Sequence, residues 1–183
     1  MNKLATLATA LLLSFSASAN QEVAGVSVPS SIAMEGATLN FQGAGVRSKY
    51  FIDLYVGSLF TITTEKNVVT SKEISAVRLN IISGLITSEK MVSAINEGFA
   101  VATEGNTQAI EKEIAGFISV FSEKIVKGDQ FTLVSMPGEG LNTYKNGALL
   151  STIDNDVFRQ AVLAIWLGES PADDDLKESM LGL

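Results

Sequence analysis

Residues 43–60 read GAGVRSKYFIDLYVGSLF, and this stretch decides the fold. Two glycines lead into a long apolar run, which predicts a turn at Gly43 and Gly45 followed by one long strand. Because that strand is apolar on both faces, we expect it in the middle of a sheet whose two surfaces are covered. One guanidinium, that of Arg47, enters the strand at its start. It cannot lose its charge, so it must reach water, a carboxylate of the protein or an anionic ligand.

The rest of the chain alternates between two kinds of apolar spacing. Alternating apolar and polar residues predict strands, and apolar residues three or four apart predict helices. Two helices are expected between the strands, one opened by a cap at 87–88 and one running from 107 to 128. Two more follow the last strands, and the final one is expected to begin with Ser170 as cap and Pro171 in its first position. The strand segments are 22–28, 37–42, 43–60, 75–83, 131–136 and a hairpin at Asn146-Gly147. This order predicts an α+β fold, with a mainly antiparallel sheet covered on one side by helices.

The N-terminal residues have the pattern of a secretory signal peptide. Lys3 supplies a positive start, Leu4 to Leu13 an apolar core, and Ala17-Ser18-Ala19 a small-residue cleavage site. The apolar core is too short for a stable membrane anchor. We therefore expect a signal peptide at 1–19, a single domain at 20–183 and export to a bacterial periplasm. An ordinary N-terminal helix is the alternative.

Composition excludes several classes of function. The net charge of −7 argues against nucleic acid or an anionic membrane as partner. The chain has no histidine and no cysteine, which excludes the common zinc sites, disulfides and hydrolysis by Ser-His or Cys-His pairs. No segment after residue 19 is long and apolar enough to cross a membrane. We expect no metal and no cofactor, because Asp173-Asp174-Asp175 fits a helix start, and residues 43–48 lack the third glycine of a dinucleotide fingerprint.

Arg47 is the residue whose role the pattern leaves open. In a regular strand, Arg47, Asp53 and Tyr55 share one face. In one interpretation Arg47 forms an internal ion pair with Asp53, or extends to solvent at the end of the sheet. In the other, it anchors a ligand carboxylate or oxyanion, with a tyrosine hydroxyl as second donor. A bulge near the glycines would instead place Arg47 beside Tyr50.

Short motifs follow one another in a recognisable order along the chain after residue 19. They are Val26 to Pro29, Thr38-Leu39-Asn40-Phe41-Gln42-Gly43, Gly45-Val46-Arg47, Leu54-Tyr55-Val56, Ile86-Thr87, Tyr144-Lys145-Asn146-Gly147, Ala161-Val162-Leu163 and Trp166-Leu167-Gly168 before Pro171. In their order and spacing the chain resembles the chalcone isomerase-like superfamily. The resemblance implies an open-faced β-sandwich, in which a large antiparallel sheet carries a layer of helices with a cleft between them. The chain is most similar to the short exported bacterial members.

The resemblance also implies a set of cleft residues. The plant isomerases of this family close a flavanone ring with an arginine, a strand threonine, a helix tyrosine and asparagine, and a late serine or threonine. Arg47 corresponds to the arginine, and Tyr50 falls near the strand threonine. Met91 and Gly98 occupy the tyrosine and asparagine columns, and the late hydroxyl aligns with Arg159. The chain therefore has the arginine of the plant isomerases but lacks the tyrosine, the asparagine and the late hydroxyl that form their polar network. In this it resembles the non-catalytic branch, whose members include fatty-acid-binding proteins that hold a carboxylate with the arginine and a tyrosine.

Three functions follow as hypotheses. We expect first an exported, non-catalytic protein that holds a small amphipathic carboxylate such as a fatty acid. Its expected ligand-binding residues are Arg47, Tyr50, Tyr55, Met91, Gly98 and Arg159, although Met91 and Gly98 also lie on the helix stripe that any core needs. The second is a partner-binding or structural protein with a closed cleft, in which Arg47 pairs with Asp53. The third is an isomerase or lyase with Arg47 as its oxyanion stabiliser, against which the missing helix tyrosine and asparagine count. The sequence leaves the ligand and the oligomeric state open.

Overall fold

The computed structural model describes residues 20–64 and 66–183, so the predicted signal peptide lies outside the described residues. The strands are β1 (Gln21–Val23), β2 (Val26–Val28), β3 (Ser31–Met34), β4 (Ala37–Lys49), β5 (Ile52–Thr61), β6 (Ser75–Ile81), β7 (Gln130–Met136), β8 (Gly140–Lys145) and β9 (Ala148–Ile153). The helices are α1 (Ser88–Ala102), α2 (Glu111–Ser119), α3 (Asp156–Leu167) and α4 (Asp174–Leu181), with one 3₁₀ turn at Gln108–Ile110.

Strands β3 to β9 form one sheet in chain order, and each neighbouring pair is antiparallel. The helices cover one face of this sheet. The larger apolar core lies between the helices and the sheet, and in it Phe99, Phe117 and Phe158 are in mutual contact. A smaller cluster on the opposite face packs the N-terminal hairpin β1–β2 and β3 against β5, through Val28, Ile32 and Phe60. The predicted α+β fold with a large antiparallel sheet is confirmed, and β5 is covered on both faces, as its composition predicted.

Residues 43–60 form two antiparallel strands, so the prediction of one long strand after a glycine turn was wrong. Lys49 pairs with Ile52, and the chain reverses at the two residues between them, Tyr50 and Phe51. Their φ values are +52° and +64°, in the left-handed region that turn patterns assign to glycine or asparagine. Gly43 and Gly45 lie inside β4, which continues past them with a bulge after Phe41.

The glycines of β4 and β5 leave room for α4. A Cβ at Gly43 would lie 2.2 Å from the carbonyl oxygen of Ser179, and one at Gly45 would lie 2.6 Å from the Cβ of Ser179. A Cβ at Gly57, on the neighbouring strand, would come within 3.1 Å of Leu176. Helix α4 therefore lies directly on the backbone of the two strands. Gly43 and Gly45 were predicted to be turn residues, but the role of all three glycines is close packing.

The start of α1 agrees with the prediction, whereas the start of α4 and the end of α2 differ from it. The side chain of Thr87 caps α1 by accepting from the Lys90 amide, as expected. Helix α4 begins three residues after the predicted start, with Asp173 as its cap in place of Ser170. Helix α2 stops at Ser119, well before Gly128, because the hydroxyls of Ser119 and Ser122 bond to nearby carbonyls and compete with the helical pattern. No described helix is long and apolar enough to cross a bilayer.

Candidate functional site

A cavity of about 400 Å³ lies between α1, the start of β5 and residues 85–86, and we call it the α1 cavity. Its volume falls in the range of small-molecule sites in proteins. The wall is mainly apolar and includes Leu54, Ile86, Met91 and Ala94. The α1 cavity therefore offers an apolar compartment at one edge of the helix layer.

The position of α1 beside the cavity depends on a close helix contact. A Cβ at Gly98 would lie 2.7 Å from the Cγ2 of Ile165, so only glycine lets α1 pack this closely on α3. Gly98 itself faces α3 and does not line the α1 cavity. Its role is to set the distance between the two helices.

Two lysines border the α1 cavity. The Lys90 ammonium donates to the carbonyl of Leu85 at 3.0 Å, and the Lys49 ammonium lies 5.8 Å from the centre of the Tyr50 ring. Neither lysine has a carboxylate partner among residues 20–64 and 66–183. The one acidic side chain of the lining, Glu97, accepts a hydrogen bond from Ser93 at 3.3 Å. Lys90 and Glu97 are almost two helical turns apart, so the lining has a positive and a negative end.

Tyr55 is the buried polar residue of the α1 cavity. Its hydroxyl accepts a hydrogen bond from Nε1 of Trp166 on α3, at 3.0 Å. Burial raises the pKa of Tyr55, although the Trp166 bond and the charge of Arg47 act in the opposite direction. The hydroxyl is therefore neutral at physiological pH and keeps its proton for donation.

Arg47 pairs with Asp173, so the predicted ion pair with Asp53 was wrong. Its Nη1 lies 2.5 Å from Oδ2 of Asp173 at the start of α4, and both side chains are mostly buried. A bulge after Arg47 places Ser48 opposite Asp53, and the Ser48 hydroxyl donates to that carboxylate at 2.7 Å. Arg47 lies opposite Tyr55 on the same face, as expected, but it does not line the α1 cavity.

Asp173 holds α4 in place through both carboxylate oxygens. Oδ1 accepts from the Leu176 amide at 2.8 Å and Oδ2 accepts from Arg47. We expect Asp173→Ala to lower the free energy of unfolding by about 2–3 kcal/mol, because the cap and the mostly buried ion pair are both lost. Asp173→Asn keeps a capping oxygen and should cost only about 1 kcal/mol. Urea denaturation of both variants measures this. Equal losses would contradict the separate contribution of the cap, and an Asp173→Asn variant as stable as the wild type would contradict the contribution of the ion pair.

Arg159 lies in the core, outside the α1 cavity lining. It is 1% exposed, and its Nε donates to Asp156 at 2.7 Å while Nη1 donates to the Ser135 hydroxyl at 2.9 Å. Its remaining terminal nitrogen, Nη2, has no partner among the described residues. These bonds, with one from the Gly138 amide, hold the pKa of Asp156 well below its usual range. Arg159 thus joins the start of α3 to β7.

Of the six expected ligand-binding residues, the structure brings three together. Tyr50, Tyr55 and Met91 line the α1 cavity, whereas Arg47, Gly98 and Arg159 lie outside its lining. The sequence reading missed the two lysines and Ala94. A usable pattern was present, since Lys90, Ala94 and Glu97 follow one another at helical spacing on α1 beside the buried stripe of Met91. No group of three acidic side chains in the described part of the chain is placed to hold a metal ion.

A second, smaller depression of about 330 Å³ lies between the end of α1, the 3₁₀ turn and α3. Alanines, Val69, Val157 and Ile110 form most of its surface, with Thr103, Asn106 and Gln160 as polar groups. It has no charged side chain in its lining. The α1 cavity is therefore the stronger candidate for a ligand that has both a charged and an apolar part.

Known proteins share the sequence pattern and the fold of this chain. The sequence profile of the chalcone isomerase-like family matches residues 20–182. The fold is similar to that of a fatty-acid binding protein from Arabidopsis thaliana, with a TM-score of 0.67 over 86% of this chain and 92% of that chain, at 17% identity. At that identity the likeness shows the fold alone. None of the proteins with curated functions matches the sequence. The superfamily resemblance and the open-faced fold are thus confirmed, and the bacterial branch stays a prediction.

Proposed function

Because the chain belongs to the chalcone isomerase-like family, we propose that it is a non-catalytic member which binds a small amphipathic carboxylate, such as a fatty acid, in the α1 cavity. One observation carries the proposal: an apolar cavity of about 400 Å³ has at its border two lysines that form no ion pair with a carboxylate of the described residues. A fatty-acid binding protein with the same fold supports it as an analogy. Export to the periplasm is part of the same proposal.

The alkyl part of the ligand contacts the apolar wall. Leu54, Ile86 and Met91 supply branched and thioether side chains, and a methionine adapts to chains of different length. Each buried methylene contributes about 0.8 kcal/mol, so a chain of several carbons gives most of the affinity. Ala94 leaves open the space that a larger residue on α1 would fill.

The carboxylate lies at the lysine end of the α1 cavity. Lys90 donates one hydrogen bond to Leu85 and keeps two further donors, and Lys49 is unpaired among the described residues. A charge-assisted hydrogen bond to a carboxylate is stronger than a neutral one. Binding to Arg47 would first require its guanidinium to leave Asp173, which makes the lysines the better anchor. The Arg47 anchor stays a prediction that the same experiment tests.

Filling the cavity tests where the ligand binds. Ala94 and Ala100 are both exposed on α1, but only Ala94 lines the α1 cavity. We expect Ala94→Phe to weaken dodecanoate binding at least about tenfold, because the ring takes the space of the alkyl chain. Ala100→Phe is the matched control and should bind like the wild type. Titration calorimetry measures both. Absence of dodecanoate binding by the wild type, or equal affinities for the two variants, would contradict the proposal.

The same titration separates the possible anchors. Lys49→Met with Lys90→Met should weaken dodecanoate binding roughly tenfold and leave dodecanol binding nearly unchanged, because only the acid has a charge to lose. Arg47→Met should have the smaller effect on dodecanoate affinity. If Arg47→Met weakened dodecanoate binding more than the double lysine variant, Arg47 would be the anchor of the carboxylate, and the proposed class of ligand would be unchanged.

A further inference from the structure

The turn between β4 and β5 differs from the comparable turns of the described chain. Four two-residue hairpin loops occur in residues 20–64 and 66–183, and in each of them both residues have positive φ. Three have glycine second: Ala24-Gly25, Glu35-Gly36 and Asn146-Gly147. The fourth is Tyr50-Phe51. It uses two aromatic residues in a conformation that costs each of them on the order of 1 kcal/mol relative to glycine.

The fold gains little packing in return for this backbone conformation. Tyr50 is 83% exposed and Phe51 is 106% exposed, and the neighbouring Ile52 is exposed as well. Leu85, another exposed apolar residue, lines the α1 cavity together with Tyr50 and Ile52. We call Lys49–Ile52 together with Leu85 the tip. A contact with a partner outside the chain would explain why a strained turn presents apolar side chains to water.

We propose that the tip inserts into the interfacial region of a lipid bilayer. Tyrosine and phenylalanine side chains are favoured at this depth, and lysines beside them extend to the phosphates of the headgroups. Lys49 belongs to the tip and Lys90 lines the same cavity as the tip, although the carboxylate of Asp53 is also close in sequence. The tip has five residues, far fewer than the roughly 20–30 residues per partner of a stable protein interface, which favours the bilayer over a protein.

The charge of the chain defines the kind of membrane. With a net charge of −7, the molecule as a whole is repelled by anionic lipids. The contact is therefore mainly apolar, takes place with zwitterionic lipids and depends weakly on salt.

The tip and the α1 cavity are continuous. Tyr50, Ile52 and Leu85 belong to both, so docking of the tip would place the mouth of the cavity against the lipid. An amphipathic acid dissolved in the bilayer could then enter without crossing water, which its alkyl chain disfavours. This loading step rests on the proposed function, whereas docking of the tip does not.

Phe51→Gly tests the docking with little risk to the fold. The substitution restores the glycine of the other three loops, so we expect it to raise stability, and Phe51 does not line the α1 cavity. With residues 20–183, which contain every described element, binding to phosphatidylcholine vesicles is measured by co-sedimentation. We expect Phe51→Gly to weaken vesicle binding about tenfold or more, since a buried phenylalanine is a large share of the contact. Leu149→Ser, at an exposed leucine of β9, is the control and should bind like the wild type.

Each result supports or overturns the proposal. Failure of the wild type to sediment with vesicles, or equal sedimentation of the wild type and Phe51→Gly, would overturn it. A lipid-free dimer that Phe51→Gly dissociates would show that the tip binds a second copy of the chain. Dodecanoate affinity in lipid-free solution is measured separately and should be retained in Phe51→Gly. Vesicle binding without dodecanoate binding would contradict the proposed function and support the docking. Dodecanoate binding without vesicle binding would support the proposed function and contradict the docking.

Discussion

Gly43→Ala is expected to lower the free energy of unfolding by roughly 3 kcal/mol or more. The added methyl group would lie 2.2 Å from the carbonyl oxygen of Ser179, 2.7 Å from that of Met180 and 2.9 Å from the amide nitrogen of Gly182. All three are backbone atoms of α4 and its end, so no side-chain rotation relieves the clash. Helix α4 must move away from β4, and the burial of Leu176 and Met180 is lost with it. Urea denaturation followed by circular dichroism measures the loss.

The matched control for this prediction is Gly116→Ala. Gly116 lies inside α2, and a Cβ there would meet only the Cδ1 of Ile153, at an ordinary 3.8 Å. Alanine in a helix interior is favoured over glycine by about 0.5–1 kcal/mol, so this variant should be more stable than the wild type. If Gly43→Ala were as stable as the wild type, the close seating of α4 on the strand would be wrong.

Asp156→Ala is expected to cost about 3–5 kcal/mol, because it leaves a buried guanidinium without its counter-charge. Arg159 is 1% exposed, and Asp156 is its carboxylate partner among the described residues. The same carboxylate also accepts from the Gly138 amide at 2.9 Å and from the Gln160 side chain at 2.8 Å. The variant therefore loses the contacts of the α3 start as well as the ion pair. Equilibrium urea denaturation at pH 7 gives the difference.

Removing the charge of Arg159 should restore much of that stability. Arg159→Met in the Asp156→Ala background has no ion to leave unpaired, and the methionine fills part of the volume of the arginine stem. We expect the double variant to be more stable than Asp156→Ala alone. A double variant less stable than Asp156→Ala would show that packing and hydrogen bonds of Arg159, and not its charge, dominate at this position.

The ion pair also predicts the response to acid. The pKa of Asp156 is held well below its ordinary value of 3.8, so the pair stabilises the fold fully above pH 3.8. That contribution is lost as the pH falls below 3.8 and the carboxylate becomes protonated in the folded state. The lowered pKa values of Glu35 and Asp129 act in the same direction. Compared with the wild type, Asp156→Ala should show a weaker decline in stability between about pH 4 and pH 2.

Much of the fold was readable from local patterns. The alternation of Val77, Leu79 and Ile81 places β6 correctly, and the capping of α1 by Thr87 follows from residue type and spacing. The reversal at Tyr50-Phe51 was not readable, because turn rules assign positive φ to other residues. The local pattern predicts one strand here because both halves are apolar and the two residues at the reversal, Tyr50 and Phe51, are not turn residues.

The candidate site was less predictable, because it depends on contacts between distant segments. The partner of Arg47 lies 126 residues away at the start of α4. That pairing depends on α4 packing on glycines whose close approach no single-sequence pattern reveals. Tyr55 was expected from the strand face that it shares with Arg47, and Met91 from the family resemblance, but the cavity that both line arises from the packing of α1 beside the sheet. Lys49 and Lys90 look like ordinary surface lysines until that cavity is seen.

The seating of α4 on β4 and β5 has a consequence for how the chain folds. Most neighbouring strands from β3 to β9 are joined by short connections, so their pairing is local and closes quickly, whereas β6 and β7 are separated in the chain by α1 and α2. Covering the glycine trough of β4 and β5 instead requires closure of a loop of more than a hundred residues, as the separation of Arg47 and Asp173 shows. Such long-range closure raises the contact order and slows folding. The edge of the sheet that carries Arg47 is thus completed late, and a species with α4 undocked and that trough bare is the expected intermediate on the route to the native state.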